Sequence, residues 1–352
     1  MKKLNISIND AKINASNYPF IVAEMSGNHN KSLSRALEIV DAAAEAGVDA
    51  IKMQTYTANL MTLNLNKNEF KINDKDSLWN GLSLFELYEK ASTPWEWHKD
   101  IMERCRNVGL ICFSTPFDFS AVDFLETLEV PAYKIASFEI VDLPLIRKIA
   151  RTGKPMFIST GMATISEIDE AVTMARKNGC DDLILLKCTS DYPSEPKDAN
   201  ILTLPHMEKL FQCPVGISDH TLGIGVSLAA ITLGANVIEK HFTLRRNEGG
   251  VDAAFSLEKD EMKMLVQESK RVKDSLGTIF YGSTEGESKS IRFRRSIYAS
   301  GDIKKDETFT FDNIRIIRPG YGIYPKYFDI ILGKRAALDI SKGTAIEWRM
   351  IG

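Results

Sequence analysis

The stretch FQCPVGISDHTLGIG at residues 211–225 is followed closely by ANVIEKHFTLRR at residues 235–246, and the two have the same form. Each contains a short apolar run that ends in polar residues including a histidine, His220 in the first and His241 in the second. The chain has only five histidines among its 352 residues. This repetition raises the question of which fold would place two of the five histidines at equivalent ends of consecutive apolar runs.

Eight β-rich apolar runs of this kind occur in the first 245 residues, separated by segments of helical periodicity. The runs are residues 20–25, 50–56, 111–116, 132–137, 155–160, 183–190, 214–220 and 237–243. One intervening segment, residues 32–47, repeats apolar side chains at helical spacing and ends at Gly47, a residue typical of helix C-termini. Further helices are predicted at about 94–108, 119–128, 143–151, 165–177, 221–233 and 257–275.

This alternation predicts an α/β protein whose parallel sheet is buried on both faces, because the strands are apolar almost throughout. Eight strand–helix units within roughly 250 residues have the size of a (β/α)8 TIM barrel. The alternative is a doubly wound open sheet, but no GxGxxG turn follows the first run. The barrel is assigned to residues 1–276.

The character of the sequence changes after the barrel. Residues 277–290 are rich in glycine, serine and charged residues and are interpreted as a linker. Residues 291–352 are short β-prone pieces joined by turns, with one short helix predicted at 326–332. They predict a small β-rich domain, marginal in size for independent stability, which leans on a partner surface.

A long insertion, residues 57–92, follows the second predicted strand. Such a loop in a compact domain is usually either functional or disordered. Its aromatic and leucine residues, Trp79, Leu84, Phe85 and Tyr88, argue against pure disorder. Its role stays open.

Composition excludes several classes of protein. A hydrophobic content of 44%, a charged content of 26% and a net charge of −3 indicate a soluble globular protein without nucleic acid or a membrane as partner. No run approaches the ~20 apolar residues of a membrane span, and the N-terminus lacks the apolar core of a signal peptide. The five cysteines form no CxxC pair, as expected for reduced thiols, so a cytoplasmic location is predicted.

Polar residues end all eight runs, and active sites of TIM barrels lie at the C-terminal ends of the strands. In chain order these residues are Glu24; Lys52 and Gln54; Ser114 and Thr115; Lys134 and Ser137; Ser159 and Thr160; Lys187, Thr189 and Ser190; Ser218, Asp219 and His220; Glu239 and His241. A closed barrel would gather them at one mouth. The sequence therefore predicts an active site there.

The two histidines follow neighbouring predicted strands at the same depth, so their imidazoles could share one divalent metal ion. The alternative is a pair of structural histidines with satisfied hydrogen bonds. A metal site is favoured because Asp219 and Glu239 are expected nearby. Two histidines without a third fixed protein ligand suit a labile Mn²⁺ or Mg²⁺ better than structural zinc.

Two lysines indicate an anion. Lys52 and Lys134 would project into the mouth, although either could instead pair with Glu24. Glu24 is the candidate general acid or base. The other groups of a phosphate or carboxylate cradle would be Ser137, Ser159, Thr160 and the amide of Gly161.

The remaining histidines and cysteines receive no catalytic role. His98 and His206 lie in predicted helices and are interpreted as structural. Cys188 ends a strand, but no neighbouring histidine in the sequence supports a thiolate nucleophile. His29, in GNHN, could be a ligand, line the active site or cap a loop.

Motifs spread along the chain resemble those of the sialic acid synthase family, the bacterial nonulosonate synthases. In order they are FIVAEMSGNHN, IKMQTYT, YKIASFE, ISTGMAT, KCTSDYPS, GISDHTLGIG, IEKHFTL and GGVDAAFSL, and the C-terminal DIKKDETFTFDNIRIIRPGYGI resembles the family's antifreeze-like (SAF) domain. The resemblance covers essentially the whole chain. Details such as AEMSGNHN, TPWEWHKD and GGVDAAFSLE are more similar to the pseudaminic acid branch than to the N-acetylneuraminate branch.

The resemblance implies a metal-dependent transferase that condenses phosphoenolpyruvate with the aldehyde of an N-acetylated amino sugar and releases phosphate. It implies that Mn²⁺ or Mg²⁺ on His220 and His241 orients and polarises the aldehyde, with Glu24 near the reacting carbon. The residues implied to hold phosphoenolpyruvate are Lys52, Thr115, Lys134, Ser137, Ser159 and Ser218. Those implied to lie towards the sugar are Gln54, Ser190, Tyr192 and Asp252.

The resemblance also implies the assembly. Arg318, in IRPGYG, matches the family arginine that reaches from the small domain into the barrel of the partner subunit, where it meets the N-acyl group of the sugar. A domain-swapped homodimer is therefore expected. It would explain a small domain that cannot stand alone.

The sugar is the open part of the prediction, because this chain departs from the family where the sugar would bind. Residues 187–190 are Lys-Cys-Thr-Ser where neuraminate synthases tend to have His-Cys-Thr-Asn, and the insertion at 57–92 also differs. The expected sugar is 2,4-diacetamido-2,4,6-trideoxy-L-altrose, with N-acetylmannosamine and the legionaminic acid precursor as alternatives.

Two other classes of function compete. A metal-dependent barrel hydrolase would need more metal ligands, such as the two histidines of an HxH motif after the first strand. This chain has NHN there. A non-catalytic sugar-binding protein would not require polar residues at the ends of all eight strands. Turnover with phosphoenolpyruvate separates these classes.

Overall fold

The computed structural model describes residues 5–75 and 77–352. Contacts between Cα atoms divide the chain into two compact units, with the boundary between Gly277 and Thr278. The larger unit contains a closed barrel of eight parallel strands. The predicted fold class is confirmed, and the open doubly wound sheet is excluded because the sheet closes on itself.

The barrel strands are β3 to β10, numbered after an N-terminal hairpin of β1 (Ile6–Ile8) and β2 (Ala11–Ile13). They are β3 (Phe20–Glu24), β4 (Ala50–Thr55), β5 (Ile111–Pro116), β6 (Tyr133–Ile135), β7 (Met156–Ser159), β8 (Leu183–Cys188), β9 (Val215–Asp219) and β10 (Val237–His241). Each lies within one of the predicted runs. Strand β10 closes the barrel by pairing in parallel with β3.

The helices of the larger unit are α1 (Leu33–Ala46), α2 (Ala58–Met61), α3 (Leu84–Ala91), α4 (His98–Asn107), α5 (Phe119–Thr127), α6 (Leu143–Ala150), α7 (Ile165–Lys177), α8 (Thr203–Phe211), α9 (Gly225–Thr232) and α10 (Lys259–Ser275). Helix α1 follows the sequence signals: the Ser32 hydroxyl accepts a hydrogen bond from the Arg35 amide, and Gly47 takes a φ of +85° at the C-terminus.

Two predicted helices are shorter than expected. Helix α4 begins only at His98, because a 3₁₀ turn at Trp95–Trp97 precedes it. Helix α9 begins at Gly225, because residues 221–224 still belong to the loop after β9.

Alternation along the strands separates two apolar cores. On β9 and β10, Ile217 and Ile238 point outwards into the core between sheet and helices, whereas Val237 points into the barrel. The core inside the barrel also receives Ile6, Ile8 and Ile13 from the N-terminal hairpin, which was not predicted. These residues pack with the first residues of several strands, so the hairpin closes the N-terminal end of the barrel and leaves the opposite end for polar groups.

The described part of the insertion at 57–92 is ordered around two helices, as its aromatic residues suggested. Helix α3 begins with a capping box, in which Ser83 and Glu86 satisfy each other's backbone amides. The Trp79 indole N–H donates to the carbonyl of Val251 at 2.9 Å, which attaches the insertion to the loop after β10.

The smaller unit has its own apolar core. Strands β11 (Ser296–Ala299) and β12 (Ile314–Ile317) pair in antiparallel fashion, and helix α11 spans Phe328–Ile331. Its buried side chains include Ile297, Ile303, Phe309, Ile331 and Ile346. Among the residues described in both units, no helix is long and apolar enough to cross a membrane.

Candidate active site

The barrel register brings the polar strand ends to a common level. His241 on β10 lies opposite Glu24 on β3, and Glu24 lies opposite Lys52 on β4. Because alternate residues of a strand share a face, Gln54 joins Lys52 and Glu239 joins His241 inside the barrel. The C-terminal mouth is therefore lined by charged and polar groups rather than by the branched apolar residues found below it.

Two lysines and two glutamates form a buried charge cluster at this mouth. Lys52 Nζ lies 2.6 Å from Glu24 Oε2 and 3.5 Å from Glu239 Oε1, and Lys134 Nζ lies 2.8 Å from Glu239 Oε1. Burial raises the pKa of Glu24 above its ordinary value, and the attraction of Lys52 only partly opposes it. Burial acts in the same direction on Glu239, but Lys134 and Lys52 overcome it and lower the pKa of Glu239 to about 2.

The two histidines lie side by side at the mouth. Their ring centroids are 5.3 Å apart, and both side chains are buried. His220 Nδ1 lies 2.9 Å from the carbonyl oxygen of Thr189, which orients its ring. Burial, with His220 and nearby lysines, lowers the pKa of His241 well below its ordinary value, so His241 is a neutral imidazole able to act as a ligand.

The donor set fits a weakly held divalent metal. His241 Nδ1 is buried without a hydrogen-bond partner within the described part of the chain, as an unused ligand atom would be. No group of three or more histidine, cysteine, aspartate or glutamate residues with metal-ligand geometry occurs among residues 5–75 and 77–352. The two imidazoles would thus leave most coordination positions to water or substrate, which suits an open site.

Hydroxyl groups and a glycine amide form a cradle beside Lys52 and Lys134. The amide of Gly161 donates to Ser137 Oγ at 3.1 Å, and Lys52 Nζ donates to Thr115 Oγ1 at 3.2 Å. A Cβ at Gly161 would collide with the hydroxyls of Ser190 and Ser137, so only glycine lets both hydroxyls approach the backbone here. Ser159 Oγ is buried without a partner in the described structure, and Ser218 Oγ donates to Glu239. The cradle suits a phosphate or carboxylate.

Comparison with known proteins identifies the family. The model described as the NeuB family matches residues 39–281, more than half of the chain, and the SAF domain model matches residues 294–352. The chain belongs to the NeuB family.

Two similar proteins are named pseudaminic acid synthases. The pseudaminic acid synthase of Campylobacter jejuni subsp. jejuni serotype O:2 is 43% identical over 328 residues, which span 93% of this chain and 95% of that protein. The pseudaminic acid synthase of Helicobacter pylori is 43% identical over 333 residues, which span 94% of this chain and 96% of that protein. The family and the enzyme class predicted from the sequence are thereby confirmed.

A solved structure of the NeuB fold superposes on the chain. It is the N-acetylneuraminic acid (sialic acid) synthetase of Leptospira borgpetersenii serovar Hardjo-bovis, with a TM-score of 0.73 and 32% identity. The superposition covers 84% of this chain and 97% of that chain.

The residues expected on the sugar side of the NeuB site also lie at the mouth. Gln54 Nε2 donates to Glu24 Oε1 at 2.9 Å, and the Tyr192 ring packs on His220 with centroids 4.4 Å apart. Asp252 accepts a hydrogen bond from Ser26 Oγ, and its Oδ2 lies 3.8 Å from His241 Nδ1. Gln54, Tyr192 and Asp252 thus lie together at the mouth. Two other predicted residues face the helices instead, because they alternate with inward-facing neighbours: Thr160 Oγ1 donates to the carbonyl of Leu186, and Ser114 Oγ lies 2.6 Å from Thr55 Oγ1.

Arg318 belongs to the smaller unit, where it is exposed and followed by a cis peptide bond to Pro319. Its predicted contact with the barrel of a partner subunit stays a prediction.

The expectation for Asp219 is wrong. Its carboxylate points away from the mouth, where it accepts hydrogen bonds from Thr221 and Ser227 and pairs with Lys240. The reason is the alternation of a strand: Ser218 and His220 face the mouth, so the residue between them faces the helices.

Lys187, which was expected among the polar strand ends at the mouth, faces outwards as well, because it follows the inward-facing Leu186. It is only half-buried, and its Nζ donates to the carbonyl of Cys188 at 3.0 Å.

Sequence reasoning missed the surroundings of Cys188. Its Sγ lies 3.9 Å from His220 Nδ1, although the two residues are 32 positions apart. Burial would raise the pKa of the Cys188 thiol, but His220, Ser137 and Lys134 lower it to about 7. The histidine neighbour that the sequence lacked is thus supplied by the adjacent strand, β9.

Glu139 was also missed. Burial raises the pKa of its carboxyl to about 7, and Oε2 is buried without a partner in the described structure. A polar residue two positions after Ser137 was the only available signal.

Both ring nitrogens of His29, in the loop after β3, have hydrogen-bond partners. Its Nδ1 accepts the amide of Lys31 and its Nε2 meets Thr93 Oγ1 at 3.1 Å, so it caps a loop. Burial lowers its pKa to about 4, which keeps the ring neutral.

Proposed function

We propose that the protein is a pseudaminic acid synthase, which condenses phosphoenolpyruvate with 2,4-diacetamido-2,4,6-trideoxy-L-altrose and releases phosphate. The observation that carries the proposal is one barrel mouth that holds both an anion cradle with two buried lysines and a pair of adjacent histidines. The names of the two relatives at 43% identity support the choice of product.

Phosphoenolpyruvate would bind in the cradle. Lys52 and Lys134 would exchange their contacts with Glu24 and Glu239 for the phosphate and carboxylate of the substrate. The hydroxyl and amide donors would complete the site, from Thr115, Ser137, Ser159, Ser218 and Gly161. Because both lysines are buried, little water competes for them, and each charged contact is stronger than at the surface.

The sugar aldehyde would lie between the histidines and an aromatic wall formed by the rings of Trp79 and Tyr192. Gln54, Ser190, Tyr192 and Asp252 would contact it. Mn²⁺ or Mg²⁺ held by His220 and His241 would supply Lewis-acid polarisation of the carbonyl oxygen.

The chemistry then forms one carbon–carbon bond. The C3 carbon of phosphoenolpyruvate attacks the aldehyde carbon, water adds at C2, and inorganic phosphate leaves from C2. Glu24 would accept and return a proton near these carbons; its raised pKa, which comes from burial, and its hydrogen bond from Gln54 support this role. Replacing it by glutamine should lower kcat by about 100-fold or more, with a smaller effect on substrate binding.

We also propose a homodimer with exchanged C-terminal domains, in which Arg318 of one subunit completes the sugar site of the other. The exposure of Arg318 and the match of residues 294–352 to the SAF domain support it. Arg318→Ala and His241→Ala should each be inactive. Co-expression should restore part of the activity, because one mixed site then has both residues; in a monomer it would restore none.

The deciding experiment is phosphate release from phosphoenolpyruvate with Mn²⁺ and three sugars: the diacetamido-trideoxy altrose, N-acetylmannosamine and the legionaminic acid precursor. The proposal expects release with the altrose, abolished by EDTA and by His220→Ala or His241→Ala. Release with N-acetylmannosamine alone would assign the neuraminate activity instead. If none of the sugars supports release, the synthase assignment is wrong, and a hydrolase or a binding protein has to be tested.

A further inference from the structure

The two histidines at the mouth are each preceded by a charged residue that points the other way. Asp219 precedes His220 at the end of β9, and Lys240 precedes His241 at the end of β10. In the strand pairing, Lys240 lies directly opposite Asp219, so the two histidines are the next residues on each side. The charged pair and the histidine pair are thus one step apart on opposite faces of the same two strands.

Asp219 and Lys240 form a buried ion pair on the helix side of the sheet. Lys240 Nζ lies 3.0 Å from Asp219 Oδ2, and both side chains are only 1% exposed. Lys240 Nζ also donates to the carbonyls of Thr221 and Asp219, at 2.6 and 3.4 Å. The ammonium therefore ties the backbone on both sides of His220 to the strand that carries His241.

The carboxylate of Asp219 holds the same segment from the other direction. Its Oδ1 accepts the amide and hydroxyl of Thr221, and its Oδ2 accepts the hydroxyl of Ser227 in α9. Residues 219 and 221 are consequently clamped, with His220 between them. The backbone of His220 has little freedom to move relative to β10.

A buried ion pair is energetically unfavourable as core packing. Removing two charges from water costs more than their attraction often returns, and apolar residues of equal volume are frequently at least as stable. The surrounding core between sheet and helices is apolar, with Ile217, Ile238 and Ile231 nearby in the fold. A role in positioning explains a charged pair here better than a role in stability.

We propose that Asp219 and Lys240 are positioning residues that fix the distance between the imidazoles of His220 and His241, so that both can hold one divalent cation. This inference rests on the metal site of the proposed function. Neither residue touches substrate or metal; each acts through the histidine that follows it. Outer groups that orient metal ligands typically contribute about 10- to 100-fold to metal affinity.

The test measures Mn²⁺ binding by the full-length protein without substrates, from the electron paramagnetic resonance signal of free Mn²⁺. The variant is Asp219→Asn with Lys240→Met, which removes both charges at nearly constant volume. We expect Mn²⁺ affinity to fall about 10- to 100-fold while the far-ultraviolet circular dichroism spectrum stays that of the parent. Lys240→Arg, which keeps the charge, should retain most of the affinity.

Ile149→Ala is the matched control for lost stability. Ile149 is fully buried in α6, away from β9 and β10, so its truncation lowers the thermal midpoint without touching the histidines. Its Mn²⁺ affinity should equal that of the parent. If the double variant also binds Mn²⁺ like the parent, or if it does no worse than Ile149→Ala, the positioning role is refuted.

Failure of the metal site itself has a different signature. A parent protein that binds no Mn²⁺, or that binds it equally after His220→Ala and His241→Ala, would remove the site and this inference with it. Should the double variant not fold, the comparison of parent, Asp219→Asn and Lys240→Arg decides. Weak binding by Asp219→Asn alone supports the proposal, and parent-like binding overturns it.

Discussion

Lys134 on β6 donates from Nζ to both carboxylate oxygens of Glu239 on β10, at 2.8 and 3.1 Å, although the two strands stand on opposite sides of the barrel. The ion pair therefore crosses the interior at the level of the mouth. With Lys52, which contacts both Glu239 and Glu24, it forms one cluster of two lysines and two glutamates. In the absence of substrate the glutamates hold the two ammonium groups where an anion is expected to bind.

Replacing Lys134 by methionine should raise the KM for phosphoenolpyruvate about 10- to 100-fold, because a charge-assisted contact contributes about 1.5–3 kcal/mol. The KM for the sugar should change much less. Initial rates of phosphate release at varied substrate concentrations measure both. Lys148→Met, which breaks an exposed pair with Asp123, is the control and should match the parent. Equal KM values for phosphoenolpyruvate in all three proteins would exclude Lys134 from the cradle.

Gly161→Ala should block the cradle with little effect on the fold. The added methyl group would meet the hydroxyls of Ser137 and Ser190, whereas the Gly161 backbone itself needs no positive φ. We expect loss of phosphoenolpyruvate binding of about tenfold or more, seen by isothermal titration calorimetry, since the methyl group would displace the Ser137 hydroxyl that is proposed to contact the anion. Gly301→Ala, where nothing lies within 4 Å of the added Cβ, is the control. Undiminished binding by Gly161→Ala would contradict the assignment.

Trp79→Ala should weaken sugar use selectively. The indole is held by Val251 and packs against Tyr192, with ring centroids 5.9 Å apart, so it supports the aromatic wall beside His220. We expect kcat/KM for the sugar to fall about tenfold, at the scale of one aromatic contact, with the KM for phosphoenolpyruvate unchanged. Trp79→Phe should lie between parent and alanine variant. A parallel rise of both KM values would indicate a general loss of structure instead.

His98 should make the stability of the barrel depend on pH. The ring is fully buried, its Nε2 meets Thr55 Oγ1 at 2.8 Å, and burial lowers its pKa from 6.5 to about 4. Below pH 6.5 His98 is protonated in the unfolded chain but stays neutral in the folded protein. The free energy of unfolding therefore falls as the pH falls from 6.5 towards 4. At pH 5 this loss amounts to about 2 kcal/mol from His98.

Urea denaturation at pH 7.5 and pH 5.0 measures that loss. His98→Gln should be less stable than the parent at pH 7.5, yet should lose about 2 kcal/mol less on moving to pH 5.0. His29, whose pKa is also lowered to about 4 by burial, contributes equally in both proteins and cancels in the comparison. Identical pH dependence in parent and variant would show that the pKa of His98 is the same in the folded and the unfolded state.

Much of the site could be predicted because a barrel turns strand ends into neighbours. Glu24 and His241 end apolar runs, whereas Lys52 and Lys134 lie within theirs, and strand pairing places Glu24 opposite both His241 and Lys52. The alternation of strands could also have placed Asp219 correctly, since it stands between two inward-facing residues. The expectation was wrong because Asp219, although adjacent to His220 in sequence, lies on the other face of the strand.

Other contacts had no local signal. Cys188 and His220, or Lys134 and Glu239, are far apart in sequence, and nothing at either position indicates its partner. The capping of the barrel by the N-terminal hairpin is similar, because three isoleucines in short strands are compatible with many packings.

The sequence by itself determined the barrel, the end of the barrel that carries polar groups, and the family, because hydrophobic periodicity and local motifs are properties of short segments. Only the tertiary structure decided which charge neutralises which, that Lys240 pairs with Asp219, and that Glu239 bridges both lysines. These contacts depend on strand register and on the direction of each side chain. A one-residue shift in register moves a side chain to the opposite face of the sheet.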